Sequence, residues 1–208
     1  MQDIKLRKKG NYIKAETAQG TLTFSLGNKK LASDILIFNL LAGTKGSCIV
    51  DCPGCYAKKA ERLYPGAAKA REENFRIVKE NPDIISQVVP AIVSKYRKHI
   101  STIRIHEGGD MFSKEYAQAW DVTAGQLRIE YGIKTYTYTK TDIRLYNVNV
   151  VESILPTGEF NFGRKVWVEE KAQELNAPIC PATKEKDVTC GKNCGLCIDY
   201  KTVLFIAH

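Results

Sequence analysis

The chain has 208 residues, of which 44% are hydrophobic and 26% charged, and its 31 Lys and Arg against 23 Asp and Glu give a formal charge of +8. This composition is that of a soluble globular chain and argues against disordered and fibrous classes. No apolar run reaches the roughly eighteen residues of a membrane span, and the first ten residues lack the apolar core of a secretory signal. We therefore predict a cytoplasmic protein without a membrane partner, in the host cytoplasm if the chain is viral.

The predicted elements alternate between strands and helices. Residues 3–26 alternate in hydropathy around turn signals, which predicts an N-terminal β-meander. Ile35–Leu41 is a short continuous apolar run, which is typical of a buried parallel strand. Helical patterns follow over 56–63, 67–79, 83–99, a stretch capped by Ser113, and 165–175, and strand patterns over 101–106, 133–138, 147–151, 177–180 and 203–206.

This alternation predicts an α/β fold built from parallel βαβ units. A complete eightfold barrel needs about 250 residues, so we predict a partial parallel (βα) barrel over 31–179. The β-meander occupies 1–30, and a cysteine-rich metal loop occupies 180–208. Ligands of such folds collect at the carboxyl ends of the strands. We therefore expect residues 48–55, 107–110 and 139–142, together with Cys180, to line one edge.

The first cysteine group comprises Cys48, Cys52 and Cys55. A reducing compartment disfavours a disulfide, and a zinc ion would need a fourth ligand where histidines are scarce. Three thiolates on a compact loop suit a four-iron, four-sulfur (4Fe-4S) cluster, because each binds a different iron and one iron stays open. The spacing and the lack of other ligands favour the cluster over zinc.

The second cysteine group has four members, Cys180, Cys190, Cys194 and Cys197. Four thiolates close a tetrahedral zinc site or hold every iron of a 4Fe-4S cluster. A polar, glycine-rich surrounding is typical of a loop that folds around its metal. A second 4Fe-4S cluster and zinc both stay open, and a site that only pins the C-terminus is the structural alternative.

The motif C-x3-C-x2-C after the first buried strand, followed by Gly-Gly-acid after the next, resembles the radical S-adenosylmethionine (SAM) superfamily. The resemblance implies that Cys48, Cys52 and Cys55 hold a 4Fe-4S cluster whose open iron binds SAM. It implies reductive cleavage of SAM, hydrogen abstraction from a substrate that the sequence does not identify, and a flavodoxin- or ferredoxin-like electron donor. In that family a Gly-Gly-Glu motif contacts the methionyl amine of SAM. Gly108, Gly109 and Asp110 stand at the corresponding position of this sequence.

A second resemblance, to a phage-encoded family, rests on a wider set of residues. These are the sequence CPGCYAKKA with Arg71 and Asn74 downstream, the sequence IHEGGDMFS, and the terminal CGKNCGLC. If the chain is an enzyme, we expect the radical SAM reaction. The alternative is a non-catalytic iron–sulfur or zinc-stabilised phage protein that binds a host protein or nucleic acid. The basic meander would suit nucleic acid, but lysines that discourage strand pairing explain it as well, so nucleic acid is not favoured.

Two patterns near the expected edge have structural interpretations. His106 is expected to be a satisfied structural histidine, with a role beside a cluster left open. The alternation of 133–138 predicts a strand with one wet face that carries Tyr136 and Tyr138, and a ligand pocket is the alternative.

Overall fold

The structure is a computed structural model that describes residues 4–49, 51–52, 55–152, 172–181, 187–200 and 203–204. Its centre is one mixed sheet of seven strands, which lie side by side in chain order. The strands are β1 (Lys5–Lys9), β2 (Tyr12–Thr17), β3 (Gly20–Leu26), β4 (Ile35–Phe38), β5 (Thr102–Ile105), β6 (Lys134–Thr139) and β7 (Asn149–Glu152).

Strand direction divides the sheet at β4. The pairs from β1 to β4 are antiparallel, whereas the pairs from β4 to β7 are parallel. The predicted meander therefore shares a sheet with the parallel strands, and Phe24 of β3 pairs with Phe38 of β4. All four residues of β4 are buried, as its apolar run predicts.

The helices begin and end where the sequence provides signals. They are α1 (Tyr56–Leu63), α2 (Pro65–Glu80), α3 (Ile84–Tyr96), a 3-10 turn (Arg97–His99), α4 (Lys114–Tyr131) and α5 (Leu196–Asp199). Pro65 stands in the first turn of α2, where its missing N–H costs nothing. Ser113 caps α4 by accepting from the Tyr116 N–H, and Gly132 ends α4 with a φ of +68°.

The main core lies on one side of the sheet, which we call the helix face. Leu36 and Phe38 of β4 and Ile103 and Ile105 of β5 pack there against α2, α3 and α4. The Phe38 ring centroid lies 4.6 Å from that of Phe24 and 5.8 Å from that of the buried Trp120. Burial of these large side chains is the dominant stabilising term.

The other side of the sheet, which we call the opposite face, contacts the C-terminal segment, by which we mean the described residues from Cys180 onward. Ile35 and Ile37 of β4 cluster with Leu31 and contact Cys190. Tyr136 of β6 and Val151 of β7 cluster with three buried residues of that segment, Cys180, Cys197 and Val203. Helix α5 contacts both β6 and β7.

The predicted α/β class is confirmed, and four of the predicted helices lie within a few residues of their expected bounds. The strands predicted at 177–180 and 203–206 are wrong within the described residues, where a single isolated bridge joins Ile179 and Leu204. Residues 205–206 and most of the helix predicted over 165–175 lie outside the described residues. None of the described helices has the length and hydropathy that a transmembrane span requires.

Candidate functional site

The first three cysteines lie on the cysteine loop, residues 47–55, which follows β4 at the carboxyl edge of the parallel strands. Ser47 is 1% exposed, and its hydroxyl donates to the Leu41 carbonyl at 3.1 Å. The Cys48 N–H donates to the Gly43 carbonyl, and the Cys55 N–H donates to that of Cys52. The first two bonds hold the start of the loop against residues 41–43, and the three half-buried thiols form no disulfide.

The Gly108–Gly109 turn after β5 allows the cysteine loop to approach. A Cβ on Gly109 would lie 2.5 Å from the Ser47 Oγ and 2.7 Å from the Leu40 Cβ, and Gly109 has a φ of +92°. A Cβ on Gly108 would lie 2.7 Å from the Arg71 guanidinium. Only glycine fits both positions without displacing neighbours. The two glycines therefore have a structural reason that is independent of any ligand.

Asp110 ties three segments of this edge together. Its backbone N–H donates to the Ser47 hydroxyl at 3.0 Å, which fastens the cysteine loop. Its Oδ1 accepts from the Thr139 hydroxyl and the Met111 N–H, and its Oδ2 accepts from the Lys140 N–H at 3.0 Å. The carboxylate is almost fully buried, so these bonds replace its hydration.

Two polar side chains of α2 hold the helix against this edge. Asn74 donates to the Thr23 and Asn39 carbonyls and accepts from the Thr23 N–H, so both of its N–H groups and its carbonyl oxygen have partners. Arg71 pairs with Glu61 of α1 at 3.1 Å, and Glu61 also accepts from the Ala42 N–H. Of the two residues marked by the phage-family resemblance, Asn74 therefore holds α2 against β3 and the end of β4, and Arg71 holds α2 against α1.

The surroundings of Cys48 favour a neutral thiol when nothing is bound. Burial raises the pKa of Cys48, and negative charge on Asp110, Cys55 or Cys52 raises it further, against a bond from the Gly43 backbone. Charge on Cys52 or Cys55 is thus near enough to disfavour ionisation of Cys48. A bound cation would reverse this balance, because thiolates are the species that ligate metals.

The C-terminal cysteines lie on the opposite face, and Cys190 lies near the amino end of β4. The Cys190 N–H donates to the Lys30 carbonyl and its carbonyl accepts from the Ala32 N–H, just before β4 begins. A small cavity lies among Tyr136, Leu196, Ile198 and three of these cysteines, Cys190, Cys194 and Cys197. Burial raises the pKa of Cys197 to about 12, although a hydrogen bond with Tyr138 lowers it in part.

The predicted convergence at the carboxyl edge is therefore correct for three of its four members. The cysteine loop, the 107–110 turn and Thr139–Lys140 meet there through Asp110. Cys180 does not join them, because it packs with Tyr136 and Cys197 on the opposite face. The reason is that Ile179 pairs with Leu204 and not with β7.

His106 and the β6 tyrosines have roles that the sequence indicates only in part. His106 has a φ of +64° and lies on the helix face, where its Nε2 is 2.9 Å from the buried Tyr116 hydroxyl. His106 is therefore buried in the core, as a structural histidine would be, but it is not fully satisfied, because its buried Nδ1 has no hydrogen-bond partner among the described residues. The wet face predicted for β6 is wrong at Tyr136, which is 2% exposed because the C-terminal segment covers it.

Among the described residues, no group of three or more His, Cys, Asp or Glu side chains is positioned to hold a metal ion. A family model described as Gene product 88 matches residues 4–199. The chain belongs to this family of phage proteins. The match spans almost the whole chain, so the predicted phage-family resemblance is confirmed. Comparison with curated proteins and with solved structures found no match.

Two features of this family member escaped the sequence interpretation. Cys190, Cys194 and Cys197 repeat the spacing of the first group, C-x3-C-x2-C, which a comparison of the two groups would have found. The second feature is Arg104, a charged residue in the alternating strand 101–106. Alternation alone suggests an exposed side chain there, whereas the Arg104 side chain is only 15% exposed.

Proposed function

We propose that this chain is an iron–sulfur protein of the radical SAM type, with a 4Fe-4S cluster held by the cysteine loop. The observation that supports the proposal is the meeting of the C-x3-C-x2-C loop with the Gly-Gly-Asp turn at the carboxyl edge of parallel strands. In this proposal, β4 to β7, with α2 to α4 on one face, are the beginning of a partial (βα) barrel.

The donor set of the loop fits a cluster better than a single hard cation. Three thiols, all free of disulfides, come from one short loop, and thiolates prefer iron–sulfur clusters, zinc or copper(I). Cys48, Cys52 and Cys55 would be the ligands. The four C-terminal cysteines would hold a second 4Fe-4S cluster or a zinc ion.

The chemistry assigned to the bound cluster and SAM is one-electron cleavage of SAM, followed by hydrogen abstraction from a substrate. The chain's own task is to place the loop and shield it. Ser47, Gly109 and Asp110 clamp the loop to β5 and β6, while Glu61 and Arg71 fix α1 behind it. Partial burial of the thiols limits access of water to the site.

Gly108, Gly109 and Asp110 are proposed to face the methionyl group of SAM. Glycines in this turn leave the backbone open to close approach. The Asp110 Oδ2 accepts one hydrogen bond, so it retains the capacity for another from an ammonium group. A flavodoxin- or ferredoxin-like protein would supply the electron.

The test is incubation of the anaerobically reconstituted protein with SAM and dithionite. We expect release of 5′-deoxyadenosine and methionine by the wild-type protein and none by Cys52→Ala. Asp110→Asn should weaken SAM binding, whereas Asp142→Asn, which changes an exposed carboxylate on the next loop, should not. Iron-loaded protein that neither binds nor cleaves SAM would refute the radical SAM part of the proposal.

A second candidate function is a non-catalytic metal-stabilised phage protein that binds a host protein. The observation that favours it is the use of three hydrogen bonds within the protein by the Asp110 carboxylate. In that case, the Gly-Gly-Asp turn serves only to hold the cysteine loop. Full iron loading without SAM binding, together with capture of a host protein that Cys52→Ala no longer retains, would support this alternative.

A further inference from the structure

A largely buried guanidinium on β5 has no hydrogen-bond partner among the described residues. Arg104 shares a register row with Ile37 of β4 and Tyr136 of β6, and its Nε is buried without a partner. Within the described part of the chain, none of its other N–H groups makes a hydrogen bond either. An arginine stays charged in proteins, and burying an unpaired charge is costly.

The neighbours of Arg104 compensate its charge only in part. The nearest carboxylate oxygen, Glu107 Oε1, is 3.9 Å away, too far for a hydrogen bond, and it accepts from the Asn28 amide at 2.7 Å. The guanidinium carbon lies 5.0 Å from the centroid of the Tyr138 ring, which is a cation–π distance. The ring attracts the cation but leaves the N–H groups unused.

Arg104 lies between the two cysteine groups. Its positive charge acts on Tyr56 and Glu107 at the carboxyl edge, and it lowers the pKa of Cys190 and Cys197 against the larger effect of their burial. Both Arg104 and Glu107 keep a small exposed fraction, 15% and 21%. A small molecule can therefore reach the guanidinium at the opposite face.

We propose that Arg104 anchors a binding site for the carboxylate of a small molecule on the opposite face of the sheet, between the two cysteine groups. The planar guanidinium fork matches a carboxylate in two parallel hydrogen bonds. A phosphate dianion suits the site less well, because the Glu107 carboxylate lies close by and would repel the additional charge. The site goes beyond the proposed function and does not depend on iron.

The experiment measures thermal unfolding of the full-length protein in sodium acetate and, at equal ionic strength, in sodium chloride or sodium phosphate. Acetate at about ten times its Kd should raise the Tm of the wild-type protein by about 3 °C relative to chloride, and phosphate should raise it less. The variants are Arg104→Met, which removes the charge, and Arg104→Lys, which keeps it without the fork. Arg128→Met, at an exposed position of α4, is the matched control.

We expect Arg104→Met to abolish the acetate effect and to raise the Tm in chloride, because it removes a buried charge whose N–H groups make no hydrogen bonds. Arg104→Lys should keep only part of the acetate effect, and Arg128→Met should keep all of it. An acetate effect that persists in Arg104→Met would overturn the proposal, and so would a lower Tm of that variant in chloride. A wild-type protein that does not respond to acetate would equally overturn the proposal. If Arg104→Met then also loses its C-terminal metal, Arg104 serves as a counter-charge for the thiolates instead. Metal analysis of the same preparations separates these outcomes from a failure of the iron–sulfur proposal.

Discussion

The two cysteine groups have the same C-x3-C-x2-C spacing but opposite surroundings. The cysteine loop lies at the carboxyl edge of the sheet and is held by a polar network through Ser47 and Asp110. The C-terminal group lies on the opposite face and is packed among apolar and aromatic side chains around Tyr136. Sequence spacing therefore does not separate the two groups, whereas their surroundings in the structure distinguish them.

This difference has a consequence for what each group can do. The cysteine loop offers three partly exposed thiols at the edge where ligands of α/β folds bind. The C-terminal group offers four cysteines, of which Cys180 and Cys197 are buried. An accessible site with three ligands suits chemistry, and a buried site with four ligands suits structure.

Among substitutions compared at neutral pH, the largest effect is expected where the polar network is broken. Asp110→Ala leaves the Thr139 hydroxyl and the Met111 and Lys140 N–H groups without their acceptor, so the free energy of unfolding should fall by about 3 kcal/mol. Asp142→Ala, at an exposed position, should stay within about 0.5 kcal/mol of the wild type. Urea denaturation measures both, and equal effects would contradict the role of the Asp110 network.

The close approach of the cysteine loop is tested by a pair of glycine variants. Gly109→Ala adds a Cβ 2.5 Å from the Ser47 Oγ at a φ of +92°, which should cost about 2–3 kcal/mol. Gly132→Ala has the same kind of φ, +68°, but nothing lies within 4 Å of the added atom. It should cost only about 1 kcal/mol. Equal shifts of the two urea denaturation midpoints would contradict the close approach of the cysteine loop to Gly109.

The stability of the region behind the cysteine loop should depend on pH through His106. Burial, together with the smaller effect of the Arg104 charge, lowers the pKa of His106 from its ordinary value of 6.5 to about 3. Between these values the unfolded chain binds a proton that the folded chain does not, so stability falls as the pH falls from 6.5 toward 3. The loss approaches about 1.4 kcal/mol per pH unit.

A His106→Gln variant should lose this dependence, and His99→Gln, at an exposed position, should retain it. Urea denaturation at pH 7, 6, 5 and 4 provides the comparison. An unchanged slope in His106→Gln would mean that another group is responsible for the acid sensitivity.

The smallest effect distinguishes the two cysteine groups without metal. In metal-free protein, Cys197→Ala removes a buried thiol that bonds with Tyr138, and should cost about 1–2 kcal/mol. Cys52→Ala alters a partly exposed thiol on the loop and should cost at most about 0.5 kcal/mol. A larger loss in Cys52→Ala than in Cys197→Ala, measured by thermal unfolding, would reverse the assignment of the accessible and the buried site.

The sequence predicts the elements better than their arrangement. Hydropathy periodicity locates the helices, and the Ser113 cap is confirmed because its signal is local. The pairing of the meander with β4 is not local, since Phe24 and Phe38 meet through a register that periodicity does not encode. Likewise, alternation assigns Tyr136 to a free face, but only the C-terminal segment decides whether that face is covered.

The candidate site shows the same division. The rule that strand ends share an edge brings the cysteine loop, Asp110 and Thr139 together, as the structure bears out. It does not show that the Asp110 carboxylate bonds mostly within the protein, or that Arg104 is buried without a partner. Both facts depend on side-chain directions that strand and helix patterns leave open.

The central claim, that each cysteine group binds its own metal centre and that the loop binds iron, is tested most directly by anaerobic analysis of iron, acid-labile sulfide and zinc. With a cluster at each site, the wild-type protein should contain about eight irons and eight sulfides, and Cys52→Ala about half of each while it remains folded. If the C-terminal site holds zinc, the wild type should contain about four irons and one zinc, and Cys52→Ala should lose the iron and keep the zinc. Protein that contains zinc alone, or a Cys52→Ala variant with undiminished iron, would contradict the account.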